Sequence, residues 1–150
     1  MTEHYDRVRK NTSDELNQKI DTATAQRVNE YAGMGADEIT QRIGELDREW
    51  DVERLLETNA SVLAFTGLIL GATVNKKFLV IPGIVLPFLF QHAVQGWCPP
   101  LPVLRRLGVR TRNEIDREKY ALKVLRGDFD SVVNGSQSAE PARALEAVRV

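Results

Sequence analysis

Cysteine and histidine are scarce in this 150-residue chain, which has one cysteine, Cys98, and two histidines, His4 and His92. A single cysteine excludes internal disulfides and cysteine-cluster metal sites. The two histidines are far apart in sequence, and no Ser/His/Asp set, glycine-rich phosphate loop or metal-ligand spacing is visible. We therefore predict a protein that is not an enzyme and holds no metal and no cofactor.

Charge is nearly absent from residues 58–104, whose only charged side chains are Lys76 and Lys77. These lysines separate two uncharged apolar runs of 17 and 20 residues, Thr58–Val74 and Phe78–Trp97. A membrane-spanning helix needs about 20 apolar residues, and about 17 is the lower limit. A soluble bundle with a buried helical pair is the alternative, but a soluble chain of this length rarely concentrates so much uncharged sequence. The fold class we predict is all-α, with a transmembrane helical hairpin.

The flanking charges predict an orientation. Residues 1–57 hold 8 basic and 14 acidic side chains, a net of −6, whereas residues 105–126 hold 8 basic and 3 acidic ones, a net of +5. Lys and Arg near helix ends are retained in the cytoplasm, and the first twenty residues lack the apolar core of a signal peptide. We expect both termini to be cytoplasmic and the Asn75–Lys77 tip to lie outside. The lipid bilayer is the predicted partner; the acidic arm disfavours nucleic acid.

Small residues on the first span predict a helix contact. Gly67 and Gly71 form a GxxxG pattern, and Ala60 and Ala64 extend the same line one turn earlier. Such lines let helix backbones approach closely in lipid. The contact could serve the hairpin itself or a homodimer. His92, on the last turns of the second span, is interpreted as a hydrated or hydrogen-bonded interface residue, although a buried membrane histidine is often functional.

The regions outside the spans predict further helices. The acidic arm 1–57 should form two helices, about 13–32 and 37–57, the first preceded by a T-x-x-E capping box at Thr12. The second helix carries an amphipathic stripe suited to packing on another helix: Ile39, Ile43, Leu46 and Trp50.

After the hairpin we expect a basic turn and a capped helix over 105–129. Thr111 and Glu114 form the second capping box, and the helix should stop at Gly127. Residues 130–150 are polar and rich in Ser, Gly and Asn, and are predicted to be a flexible tail.

The segment GWCPPLP at residues 96–102, followed by LGVRT at residues 107–111, resembles the closing motif of the YgaP-like inner-membrane domain. That two-helix module occurs alone and also fused behind a rhodanese domain in membrane-bound sulfurtransferases. The resemblance covers roughly residues 50–112. It implies a bacterial inner-membrane location, a hairpin with cytoplasmic termini, and homodimerisation. It does not imply sulfurtransferase activity, because a rhodanese needs its own α/β domain with a cysteine-bearing loop.

Cys98 is the candidate reactive thiol. Arg105 and Arg106 could lower the pKa of Cys98 if the proline-rich turn folds them back; otherwise the cysteine is a small structural residue. A Cys-Pro pair can also bind haem, but a lone dipeptide is a weak signal for that. Trp97, Arg105 and Arg106 are predicted anchors at the membrane interface.

Two functions from different classes follow. The first is a non-enzymatic, self-associating membrane anchor or scaffold that presents cytoplasmic helices to a protein partner. The second is a thiol or sulfur relay, in which Cys98 carries a persulfide for a separate sulfurtransferase.

Overall fold

The structure, a computed structural model, describes residues 6–130, and within that range every regular element is helical. The predicted all-α class is therefore confirmed, whereas the predicted tail lies, from residue 131 onward, outside the described residues. The elements in chain order are α1 (Arg7–Lys10), α2 (Asp14–Tyr31), α3 (Ala36–Arg48), α4 (Val52–Thr73), a 3-10 turn (Lys76–Leu79), α5 (Val80–Gln95), α6 (Leu101–Arg106) and α7 (Arg112–Arg126).

The helices of the acidic arm differ from the sequence expectation at one place. The first predicted helix is present as α2, but a break at residues 49–51 divides the second. Asp51 has an extended backbone, and its carboxylate accepts a hydrogen bond of 2.7 Å from the backbone N–H of Arg54. Since this is the geometry of an N-cap, α4 starts as a new helix there. Its first turns are polar, and the first apolar run follows them in the same helix.

The chain divides into two compact units, and both α2 and α7 contribute residues to each. The first unit contains residues 6–22 and 50–115. Its apolar core is small and lies where the ends of several helices meet. The core consists of Val8, Val52, Leu56, Cys98 and Leu101, with Trp97, Leu104 and Val109 packed against it.

The second unit contains residues 23–49 and 116–130 of the described chain. The first three residues of the amphipathic stripe on α3, Ile39, Ile43 and Leu46, are buried there. Glu118 is also fully buried, and its carboxylate accepts hydrogen bonds from Arg27 at 3.0 Å and Arg42 at 2.9 Å. A buried carboxylate is tolerated when cations satisfy it in this way.

Two helical stretches, within Ala36–Thr73 and Lys76–Gln95, are long and apolar enough to cross a membrane. Because α3 is charged, the apolar part of the first stretch is α4. Only 17% and 6% of the residues in the two apolar windows are buried, whereas a core helix of a soluble protein would be mostly buried. Large apolar side chains are instead exposed along both helices: Val62, Leu63, Phe65, Leu68, Ile69, Val74, Phe78, Leu79, Val80, Ile84, Leu86, Phe88, Phe90 and Val94. This pattern is typical of a membrane protein.

Candidate functional site

Of the two glycines of the GxxxG pattern, Gly67 lies against the start of α5 and Gly71 lies against the 3-10 turn before it, both in the same chain. Both are buried. A Cβ atom at Gly67 would lie 2.6 Å from Cδ of Pro82, and one at Gly71 would lie 2.5 Å from Cδ2 of Leu79. At position 67 the ring of Pro82 cannot easily move away, so glycine is what allows α4 and α5 to approach this closely. At position 71 a side chain would require the flexible Leu79 side chain to move. The sequence left open whether the glycines contact a helix of the same chain or a second chain. In the structure they contact the same chain.

The two alanines of the same line, Ala60 and Ala64, are half-buried. Ala60 lines an apolar cavity of about 330 Å³ between the first turns of α4 and the last turns of α5. Cys98 and Pro99 line the same cavity from the loop after α5.

Cys98 is buried, with 3% of its surface exposed, in the core of the first unit. Burial raises the pKa of its thiol, and a backbone hydrogen bond from Leu101 only partly opposes that effect. A thiolate is the reactive form of cysteine, so this environment keeps Cys98 in its less reactive form.

The three predicted interface anchors occupy different environments. Trp97 is half-buried and packs against the apolar core, and Arg106 is exposed at the end of α6. Arg105, by contrast, is 1% exposed. Its guanidinium donates two hydrogen bonds of 2.7 Å to the two carboxylate oxygens of Glu114. The charge of Arg105 is thus used inside the protein, and the structure places it neither toward lipid headgroups nor as a free cation beside Cys98.

Glu114 is the centre of a buried ionic cluster. Besides Arg105, it accepts a hydrogen bond of 2.6 Å from Arg9, which also pairs with Asp21 at 2.8 Å. Burial alone would raise the pKa of Glu114, but the hydrogen bonds and positive charges of Arg105 and Arg9, together with the Thr111 N–H, outweigh it and lower the pKa. The cluster joins the chain before the two apolar helices to the chain after them.

The second predicted capping box is part of this cluster. The Thr111 N–H donates to Glu114 at 2.9 Å, and the Glu114 N–H donates to the Thr111 hydroxyl at 3.3 Å. The Thr12 hydroxyl has a different role from the one predicted for it: it donates to the carbonyl of Val8 and accepts from Arg105. We call residues 6–17 and 98–115 together the polar base of the first unit.

The N-terminal part of the polar base covers the end of α5. Arg7 donates a hydrogen bond to the carbonyl of Ala93, and Asn11 donates to the carbonyl of Gln95 at 2.8 Å. Gly96 follows with a φ of +75°, and a Cβ atom there would collide with Cβ of Arg7. The last carbonyls of a helix have no partner within the helix, so these side chains satisfy groups that would otherwise need water.

A polar cavity of about 590 Å³ opens between the polar base and the two apolar helices. Its wall is formed by α1, α4, α5 and the start of α7. The ionisable side chains in the wall are Asp6, Arg7, Glu53, Glu57, His92 and Arg112. Asp6 is already engaged, because it accepts hydrogen bonds from the Arg9 N–H and the Thr111 hydroxyl.

Three groups in this wall lack a partner among the described residues. His92 is 7% exposed, and its Nδ1 atom has no hydrogen-bond partner; the same holds for the buried Oε2 atom of Glu53. Glu57 makes no ion pair with a described residue, although it lies within electrostatic reach of both. Buried polar groups are normally satisfied, so unpaired ones beside a cavity point to a ligand site.

No group of three or more His, Cys, Asp or Glu side chains within residues 6–130 could hold a metal ion. The predicted site residues lie in different places. Gly67 and Gly71 make a helix contact, Cys98 and Trp97 share the apolar core, and Arg105 belongs to the ionic cluster. The polar cavity was not predicted. A hint of it was available, because Glu53 and Glu57 are four residues apart and so share a face of the helix that enters the first span.

No protein-family model, curated protein or solved structure matches this chain.

Proposed function

We propose that the protein is a non-enzymatic membrane anchor or scaffold of the bacterial inner membrane. In this proposal α4 and α5 form a transmembrane hairpin, and the charged helices on either side of it lie in the cytoplasm, where they are presented to a protein partner. The observation that carries the proposal is the continuous exposure of large apolar side chains along α4 and α5, next to a region whose own charges are paired internally. Lipid is the solvent that such a surface requires.

The orientation rests on charge. Lys76 and Lys77 are the only charged residues at the tip, whereas arginines flank the hairpin on both sides. This is the distribution that retains the flanks in the cytoplasm. The same topology follows from the resemblance of residues 96–111 to the YgaP-like domain, which supports the inner-membrane assignment.

Self-association belongs to the same proposal, but through a face that excludes Gly67 and Gly71. Both glycines are buried against their own chain, Gly67 at the start of α5 and Gly71 at Leu79 of the 3-10 turn. The exposed apolar faces of α4 and α5 supply the alternative surface, with Phe65 and Phe90 among its most exposed residues.

The thiol relay gains no support. A relay needs a thiolate that a partner can reach, whereas Cys98 is buried among apolar residues and its pKa is raised. We expect labelling of Cys98 by a thiol reagent to be slow in the folded protein and fast after denaturation. Fast labelling in the folded state would favour the relay instead.

Topology is tested by labelling single cysteines in a Cys98→Ser background. Lys76→Cys should react with a membrane-impermeant maleimide in intact spheroplasts, whereas Gln18→Cys should react only after permeabilisation. Both positions are exposed, and loss of one tip lysine leaves the excess of positive charge on the flanks. The reverse labelling pattern would contradict the orientation, and release of the protein by alkaline carbonate would contradict the membrane assignment itself.

Self-association is tested by the mass of the full chain in lipid nanodiscs. A dimer that persists in Gly67→Ala, in which the chain remains folded, agrees with the proposed face. A strict monomer would remove self-association from the proposal and leave the anchor.

A further inference from the structure

We propose that the first unit binds an aminophospholipid, with the ammonium of its headgroup held by Glu53 and Glu57 in the polar cavity and an acyl chain in the adjoining apolar cavity. The inference rests on the proposed membrane location and goes beyond it by assigning a ligand to the two cavities.

The position of the polar cavity suits a headgroup. Ser61, Leu89 and Ala93 in its wall belong to the two apolar runs, whereas Glu53 and Arg112 lie outside them. The cavity therefore lies at the level where the hydrocarbon core of a bilayer gives way to the headgroup layer.

The charge of the wall selects a cation. Glu53 has three other carboxylates within electrostatic reach, those of Asp6, Asp51 and Glu57. Asp6 is satisfied by Thr111 and the Arg9 N–H, but Glu53 and Glu57 have no cation partner among the described residues. Like charges in a partly buried site are unfavourable unless a proton or a cation compensates them. A primary ammonium supplies one positive charge and three N–H donors, which two carboxylates can share.

The remaining polar groups suit a phosphate beside that ammonium. Arg7 lines the same wall, and its side-chain hydrogen bond to the carbonyl of Ala93 uses one of its five N–H donors. A guanidinium is well matched to phosphate oxygens. A ligand with an ammonium and a phosphate a few bonds apart therefore matches both signs of charge in the wall, which a simple cation would not.

The unpartnered histidine connects the two cavities. His92 and Leu89 line both the polar and the apolar cavity. The Nδ1 atom of His92 has no partner among the described residues although the ring is more than nine-tenths buried. A hydrogen-bonding ligand group at the junction, such as an ester carbonyl or hydroxyl of a glycerolipid, would leave this histidine satisfied in one of its protonation states.

An acyl chain is the occupant that fits the apolar cavity. Its wall is almost entirely apolar, with Leu63, Phe88 and Leu104 among the lining residues. Leu63 and Phe88 are also part of the exposed apolar surface that the proposal places against lipid. The cavity is thus continuous with the surface that is proposed to face lipid. An acyl chain could enter it from the bilayer without being exposed to water.

The test uses the full chain in detergent and native mass spectrometry with a graded series of lipids. The series is phosphatidylethanolamine, its N-methyl and N,N-dimethyl forms, phosphatidylcholine and phosphatidylglycerol. Each methyl group removes an N–H donor while the positive charge stays, so retention should fall along the series. We expect phosphatidylethanolamine to bind about a hundredfold more tightly than phosphatidylcholine, the effect of losing one charge-assisted hydrogen bond to each of the two carboxylates. Equal retention of all five lipids would overturn the proposal.

Variants assign the site. Glu57→Gln and Glu53→Gln should each reduce the preference for phosphatidylethanolamine about tenfold, while Glu15→Gln, an exposed carboxylate outside the cavity, should leave it unchanged. Glu57 is exposed, so its variant is expected to fold even if Glu53→Gln does not, and the lipid series needs no variant at all. A preference that survives both substitutions would overturn the assignment.

Soluble phosphoethanolamine tests the acyl-chain cavity. If it competes with the lipid at equal concentration, the apolar cavity contributes nothing and that part of the proposal is wrong; a requirement for far higher concentrations supports it. Lipid selectivity can fail while carbonate extraction and cysteine labelling still place the chain in the membrane, so failure here is distinguishable from failure of the anchor proposal.

Discussion

The two apolar helices and the polar base belong to one unit but are packed by opposite rules. Along α4 and α5 the large apolar residues are outside and the close contact is made by glycines, whereas in the polar base an arginine and a glutamate are inside. The difference is the one that the proposed membrane location of α4 and α5 would require. Against hydrocarbon, burial of apolar surface gives no advantage and close backbone approach stabilises; against water, a small apolar core needs additional bonds. Helices that bury little apolar surface are thus held together in two ways in one chain, by a buried charge pair in the polar base and by a close glycine contact between the apolar helices.

The largest effect should come from removing one charge of the polar base. Arg105→Met leaves the buried carboxylate of Glu114 with fewer cation partners, and breaking a buried pair typically costs about 3–5 kcal/mol. The free energy of unfolding in detergent, measured with chemical denaturant, should fall by that order.

Arg106→Met is the matched control, because Arg106 is the next residue on the same helix and is exposed. A surface substitution of this kind should change the free energy of unfolding by no more than about 0.5 kcal/mol. Equal effects at positions 105 and 106 would mean that the buried pair does not stabilise the base.

A smaller effect is expected from filling the glycine contact. In Gly67→Ala the new Cβ would lie 2.6 Å from Cδ of Pro82, so α4 and α5 must separate, and overpacking of this kind costs about 1–3 kcal/mol. The thermal unfolding midpoint in detergent measures it. Gly83→Ala on α5 is the control, since a Cβ there meets nothing within 4 Å; it should be neutral or slightly stabilising. A loss of dimer with no loss of helix-pair stability would show that the contact lies between chains.

Acid should weaken the polar base more than the apolar helices. Because the pKa of Glu114 is lowered in the folded protein, the folded state holds this group deprotonated where the unfolded chain binds a proton. The stabilisation is complete above the ordinary glutamate pKa of about 4.3 and is lost as the pH falls through the lowered folded value. Unfolding midpoints followed from neutral to acidic pH should decline less steeply in Glu114→Gln. Parallel curves would argue against the cluster as the acid-sensitive element.

The smallest effect should come from Arg54, whose guanidinium lies 4.5 Å from the ring centroid of Trp50. Trp50 is 45% exposed, and a cation–π contact at an exposed site contributes about 0.5–1 kcal/mol. Arg54→Gln should lower the free energy of unfolding by no more than this and should alter the tryptophan emission of the folded protein. A loss comparable to that of Arg105→Met would remove the distinction between buried and exposed arginines.

Local patterns were sufficient for much of the fold but not for the polar base. The apolar runs, the glycine line and the Thr111–Glu114 capping box each depend on residues close together in the chain, and each has a counterpart in the structure. Arg105 was predicted to be an interface anchor because it follows the second span, and any arginine at that position would receive the same prediction. Its burial depends on Glu114 and on Asn17, which accepts a hydrogen bond from it at 3.0 Å across 88 positions.

The polar cavity could not be predicted for the same reason. Its wall combines the start of α1, the first turns of α4, the end of α5 and the start of α7. The residue pattern of a single helix cannot predict that these four segments come together. Similarly, the break before α4 depends on one side chain, Asp51, acting as a cap within a stretch whose apolar spacing continues.

The contact between the N-terminal segment and the residue before α7 has a consequence for biosynthesis. Asp6 bonds to Thr111 across 105 positions, so the N-terminal segment leaves the ribosome long before its partner exists. At about 5–20 residues per second, the interval is about 5–20 s. In the proposed membrane location, α4 and α5 would enter the bilayer during that interval, and the polar base would close only afterwards. Its walls would then assemble around lipid that is already in place.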